Sequence, residues 1–168
     1  MKRLITLISV LGGMLLLFSC QKSEDATREQ VHAFVENLQS GNRNFLISFS
    51  EECGFTANSI PYFLEYAEDE TMVFAQASAL SSTAGYVPLG LEVLWYVESI
   101  RTGGNDKIGG LVSLYPAIIL NDERLGGEAS VSVLPELAGY YKSWWKRYGN
   151  NPQSAVLHNP LEGTPYHW

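Results

Sequence analysis

Glu92 and Glu98 lie six residues apart in "LGLEVLWYVES", among leucine, valine and aromatic side chains. A carboxyl in such surroundings has its pKa raised, and a raised carboxyl can work as a general acid or base. The competing reading is structural. Glu98 can reach Arg101 at i+3 on a helix, and a buried glutamate can satisfy a neighbouring backbone; this reading is preferred for both. His32 and Glu36 stand one turn apart, but no second histidine follows to complete a zinc-protease pattern. His158 and His167 have no cysteine or carboxylate at ligand spacing. Glu68, Asp69 and Glu70 are consecutive carboxylates without the alternating oxygen ligands of a calcium loop, and read as a solvated helix end. Cys53, in "EECGF", reads as a partly buried structural thiol. No G-x-S-x-G, serine–lysine or phosphate-cradling glycine pattern occurs, and "RTGGND" and "RLGGEA" are glycine turns. The expectation is a protein that is not an enzyme, with no catalytic residue, no metal and no cofactor.

Aromatic side chains remain. They make up 12% of the chain, with four Trp and nine Tyr. Tyr140, Tyr141, Trp144, Trp145 and Tyr148 cluster in one helical stretch, and neighbours such as Trp144 and Trp145 diverge at 100° per residue. If Tyr141, Tyr148 and one tryptophan face the core, the other tryptophan is partly exposed. Exposed Trp and Tyr beside Lys and Arg anchor protein interfaces and stack on sugar rings. The blander alternative is an aromatic stripe that serves only as core. Trp144, Trp145 and Trp168, with Tyr166, are the candidate contacts for a partner or ligand. A flat apolar patch rimmed by charge would mark a protein-interaction module; a concave pocket with polar groups between aromatic walls would mark a module for a small ligand or glycan. The first is the expected function and the second its alternative.

The elements that must position these residues read as helices. "ATREQVHAFVENLQSG" sets Val31, Phe34, Val35 and Leu38 on one stripe, with Gly41 as the stop. In "NSIPYFLEYAEDE", Ser59 can cap and Pro61 falls in the first turn; the acidic run then ends the helix against its dipole. "VPLGLEVLWYVESIRTGG" is apolar around most of its circumference, as a buried central helix is. "SVLPELAGYYKSWWKRYGNN" is the last helix, with Lys142, Lys146 and Arg147 towards the end that favours cations. The shared starts of "IPYFLEYAED" and "LPELAGYYKS" mark two similarly begun helices, not a repeat array. "FLISFS" is ambiguous, "ASALSSTAG" is a loop, and "LVSLYPAIILND" is an irregular buried segment or a short strand. The expected fold is mainly α: a compact single-domain helical bundle or helix-pair array with long loops. Residues 26–149 form the domain, and 150–168 an extended tail packed on it.

The first 20 residues, "MKRLITLISVLGGMLLLFSC", place Lys2 and Arg3 before an uncharged run that is too short to span a bilayer. "LFSC" resembles the lipobox of bacterial lipoproteins: Leu17, Ser19 and Cys20 match, while Phe18 is bulkier than the pattern prefers. The resemblance implies a signal peptide over 1–19, a lipidated tether over 20–25, and acyl chains on Cys20 that hold the protein in the membrane. Lys22, Glu24 and Asp25 loosely resemble a surface-export signal and serve equally as a solvated tether, so the cell-surface and periplasmic faces of the outer membrane both stay open. The chain has 11 Lys and Arg against 18 Asp and Glu, hence −7, and loss of Lys2 and Arg3 takes this to −9. Such a field does not draw nucleic acid. With Cys20 acylated, Cys53 is left without an intrachain disulfide partner. The lipobox, "IPYFLEYAEDE" and "LGLEVLWYVESIRTG" together resemble a family of small lipoproteins of unassigned function from gut Gram-negative bacteria. That resemblance covers most of residues 20–148. It implies an outer-membrane location and a helical fold, allows a partner in the envelope, and carries over no active site.

Overall fold

The computed structural model describes residues 26–42, 55–75, 85–103 and 116–168. Cys20 and its signal, "FLISFS", Cys53, most of "ASALSSTAG" and the start of "LVSLYPAIILND" lie outside the described residues. Helix α1 spans Arg28–Ser40. Thr27 caps it reciprocally: its hydroxyl accepts from the Gln30 amide at 3.3 Å, and its own amide donates to Gln30 Oε1 at 2.7 Å. Its buried residues are the four of the apolar stripe, Val31, Phe34, Val35 and Leu38. Gly41 closes it in the left-handed region, φ 69°, a conformation glycine adopts without steric cost.

A turn of 3₁₀ helix at Ala57–Ser59 leads into helix α2, Ile60–Phe63, and a second 3₁₀ turn at Leu64–Tyr66. Thr56, not Ser59, is the cap here. The Thr56 hydroxyl accepts from the Asn58 amide at 3.2 Å, while Ser59 Oγ turns back to accept from the Thr56 amide. The helix ends before Glu68, where three carboxylates would oppose its dipole.

Strand β1, Met72–Phe74, pairs antiparallel with β2, Tyr86–Pro88, and β2 runs directly into helix α3, Leu89–Arg101. Helix α3 begins at Pro88 with no side-chain cap. Its first amides instead find backbone carbonyls: Leu89 N donates to Thr71 O and Gly90 N to Asp69 O, both at 2.8 Å. Gly90 permits this approach, since a Cβ there would lie 2.4 Å from Ala67 O. Every residue from Leu89 to Ile100 is buried. Around this helix the rings of Phe34, Phe55, Phe63 and Tyr96 interlock, with Phe34–Phe55 and Phe55–Phe63 edge-to-face at 4.9 Å.

Strands β3, Ile118–Leu120, and β4, Glu123–Leu125, form a hairpin whose two loop residues, Asn121 and Asp122, both have positive φ. That is the backbone a tight two-residue hairpin requires, and Asn and Asp tolerate it. A 3₁₀ stretch at Gly127–Val133 then enters helix α4, Leu134–Tyr148, with Leu134, Leu137, Ala138, Tyr141 and Trp144 inward. A short helix α5, Pro152–Ala155, follows, and strand β5, Tyr166–His167, pairs antiparallel with β3.

The mainly-α expectation is therefore corrected to a mixed α/β fold: 56% of the described residues are helical, beside two small antiparallel sheets of five strands in total. Among the described residues no strand exceeds three residues, too short for an alternating pattern to register. Strand β5 exists only through a partner about 48 residues earlier in the chain, which local periodicity cannot report.

Candidate functional site

Glu98 is 4% exposed and serves as the hub of a polar network. Arg101 Nε donates to its two carboxylate oxygens at 3.0 and 2.9 Å, and the guanidinium also forms an ion pair with it. From α4, the Tyr141 hydroxyl donates to Glu98 Oε2 at 2.9 Å and accepts from Trp168 Nε1 at 2.7 Å. Burial, and then the negative charge of Glu98, pushes the Tyr141 hydroxyl well above its ordinary pKa. One carboxylate thus ties α3, α4 and the residue after β5 together. Glu92 is wholly buried on the same helix. It is hydrogen-bonded to Tyr96, whose pKa is likewise driven well up by burial first and Glu92 second. Both carboxylates sit inside the core.

His32, Glu68 and Asp69, among the other singled-out polar groups, have structural partners. His32 Nδ1 and the Tyr66 hydroxyl are hydrogen-bonded, and His32 Nε2 lies 3.8 Å from Glu65, itself paired with Arg28 at 2.8 Å. Glu68 pairs with Lys142 at 2.9 Å, and Asp69 Oδ1 accepts from the Thr71 amide at 2.8 Å. Among the described residues no group of three His, Cys, Asp or Glu is placed to hold a metal ion, and no helix is long and apolar enough to cross a membrane.

The tryptophans diverge as helical geometry requires. Trp144 is buried and donates Nε1 to Ala155 O at 3.2 Å. Trp145 is half-buried and forms, with Pro61 and Leu64, a shallow shelf of about 290 Å³ edged by Glu65, Lys142 and Lys146. Trp168 is half-buried on the Glu98 network, and Tyr166 is buried with its hydroxyl donating to Glu136 at 2.7 Å.

On the other side of α4 runs a groove of about 680 Å³. One wall is α4 itself, through Tyr140, Ser143, Trp144, Arg147 and Tyr148. The facing wall is the segment 158–165, through His158, Asn159, Pro160, Glu162, Thr164 and Pro165. That segment is fastened at both ends, by Trp144 on Ala155 and by Tyr166 on Glu136. Within it, Thr164 donates to Leu161 O at 2.8 Å, and Gly163 makes the turn at φ 75°. The His158 ring stacks on Tyr148 at 3.9 Å and 11°. The Arg147 guanidinium lies 5.9 Å from the centre of the same ring.

Both walls fall within one family match, which spans residues 25–168. The chain belongs to the DUF4943 family, a domain of unknown function. No curated protein and no solved structure matches it. The matched DUF4943 region contains every described element, so the groove and the shelf are both parts of that domain.

The groove of this DUF4943 chain has the size of small-molecule sites, commonly about 300–1,000 Å³. Its polar complement is mixed. Ser143 is exposed, Asn159 accepts from the Leu161 amide through Oδ1 and keeps its amide donors, and Arg147 and Glu162 face it with opposite charges. Neither Arg147 nor Glu162 forms an ion pair among the described residues. Sequence reasoning passed over Arg147, His158 and Glu162. Arg147 looked like a helix-end cation, and His158 looked isolated because its ring partner is ten residues away across a turn.

Proposed function

We propose that this protein is a lipid-anchored lipoprotein of the outer membrane that binds a small polar ligand, of the glycan class, in the groove between α4 and residues 158–165. The observation that carries the reading is the concave groove itself, with aromatic side chains on α4 and uncommitted polar groups on both walls. Rings give apolar contact to sugar faces, and Arg, Asn, Ser and Glu side chains answer hydroxyls. The function we propose is non-enzymatic capture of the ligand in the groove. The anchor rests on Leu17, Ser19 and Cys20 in "LFSC".

Two variants test the reading. Ser143→Trp fills the groove from an exposed position on α4 and is expected to abolish saccharide binding to the full chain without lowering its melting temperature. Saccharide binding unchanged in Ser143→Trp would exclude the groove. Cys20→Ala is expected to release the protein from the membrane fraction of expressing cells, and firm retention would exclude the lipid anchor.

A second reading draws on the Trp145 shelf, which is flatter, more apolar and edged by charge, as protein-contact patches are. There an envelope protein would dock on Trp145, Pro61 and Leu64. Its volume is less than half that of the groove, which is why the groove is preferred.

A further inference from the structure

The arginines of this chain are not treated alike. Arg28 gives its guanidinium to Glu65, with contacts of 3.0, 3.3 and 2.8 Å. Arg101 gives its own to Glu98. Arg147 lines the groove and has a ring beneath it instead of a carboxylate. Among the described residues it makes no hydrogen bond and no ion pair, although the chain carries 18 acidic residues. Arg147 is exposed, with its guanidinium carbon 5.9 Å from the Tyr148 ring centre, and its N–H donors are open to a ligand in the groove. A guanidinium edge matches a carboxylate in a two-point contact. Tyr148, the ring in question, is itself held by His158 stacked at 3.9 Å.

The opposite wall sets the polarity. Glu162 is exposed and can only accept hydrogen bonds when ionised, so it repels an anion and welcomes hydroxyls. Asn159 keeps two amide donors beside it. A ligand with a carboxylate at one end and hydroxyls at the other suits the two walls. The net charge of −7 opposes an anion at long range, but such fields fade beyond about 8 Å at physiological ionic strength, and the nearby guanidinium then decides.

Resting on the groove reading above, we infer that the ligand is an acidic saccharide, its carboxylate on Arg147 and its hydroxyls towards Glu162 and Asn159. The test is calorimetric titration of the full chain, purified in detergent. The acidic probes are methyl glucuronide, methyl galacturonide and N-acetylneuraminic acid; the others are methyl glucoside, methyl galactoside and glucosamine. At least one acid is expected to bind about tenfold more tightly than the neutral sugars, the scale of one charge-assisted contact. Arg147→Met removes that preference, and Arg147→Lys restores only part of it because an ammonium cannot make the two-point contact. Neutral and acidic sugars bound alike, or a preference indifferent to Arg147→Met, would overturn the inference. So would glucosamine bound more tightly and lost in Glu162→Gln. In those cases loss of binding in Ser143→Trp would keep the groove reading standing, whereas no binding of any of the six sugars would overturn both.

Discussion

Arg101 and Arg147 invite comparison: Arg101 ends α3 and is linked through Glu98 to Tyr141 of α4, whereas Arg147 lies on α4 itself, next to Tyr148. At the inner end, Arg101, Glu98, Tyr141 and Trp168 satisfy one another. Charge and hydroxyl there are engaged in tying three parts of the chain. At the outer end, Arg147 rests near Tyr148, and Tyr148 is covered by His158, a set of contacts made with ring faces. The hydrogen-bonding edges stay uncommitted around a cavity. A polar group whose partners are complete is read as architecture; one held in place with its donors open is read as a site.

The sharpest way to break the comparison is at Glu98. Glu98→Ala would leave the half-buried Arg101 and the buried Tyr141 without their shared partner, and removing one partner of a buried charged pair costs about 3–5 kcal/mol. Urea unfolding is expected to show that loss. A change below about 1 kcal/mol would mean that Arg101 finds solvent without Glu98, and that the network is not structural.

How much of this was legible beforehand depends on the range of the interactions involved. The α1 stripe and the all-round apolar α3 were legible because a helix declares its buried face within two turns. The structural role of Glu98 was legible in part, through Arg101 at i+3. Tyr141, 43 residues away, and Trp168 completed the set without leaving any local signal. The strands were hidden by their shortness. The groove was hidden because its walls are separated by a turn, and because the dipole argument already explained Arg147. Trp144 and Trp145 were legible as a diverging pair; which one would be buried was settled by Ala155, a backbone carbonyl that no pattern marks.

A smaller effect tests the fastening of the groove wall. The Tyr166 hydroxyl is pushed up to about 12, chiefly by its bond to the Glu136 carboxylate and then by burial. Its ordinary value is about 10. With the folded value raised, the contact contributes fully below pH about 10 and is lost as pH climbs from there through 12. Ultraviolet titration is expected to show a tyrosine ionising near 12 that reverts towards 10 in Glu136→Gln, with Tyr140, which shares that carboxylate, also moving down. A titration unchanged by Glu136→Gln would place the cause elsewhere and leave the wall held by Trp144 and the β3–β5 pairing.

The smallest expected effect is the most telling for the comparison. Arg147 is exposed and forms no ion pair among the described residues, so Arg147→Met keeps the apolar stem over Tyr148 and removes only the charge. Its unfolding free energy should stay within about 0.5 kcal/mol of the parent, as for surface changes away from special features. Set against the Glu98→Ala loss, that near-neutrality would separate the two arginines by role, one that folding does not need and one that it does. A loss of 2 kcal/mol or more in Arg147→Met would erase the distinction, because Arg147 would then be holding residues 158–165 in place just as Arg101 holds the core.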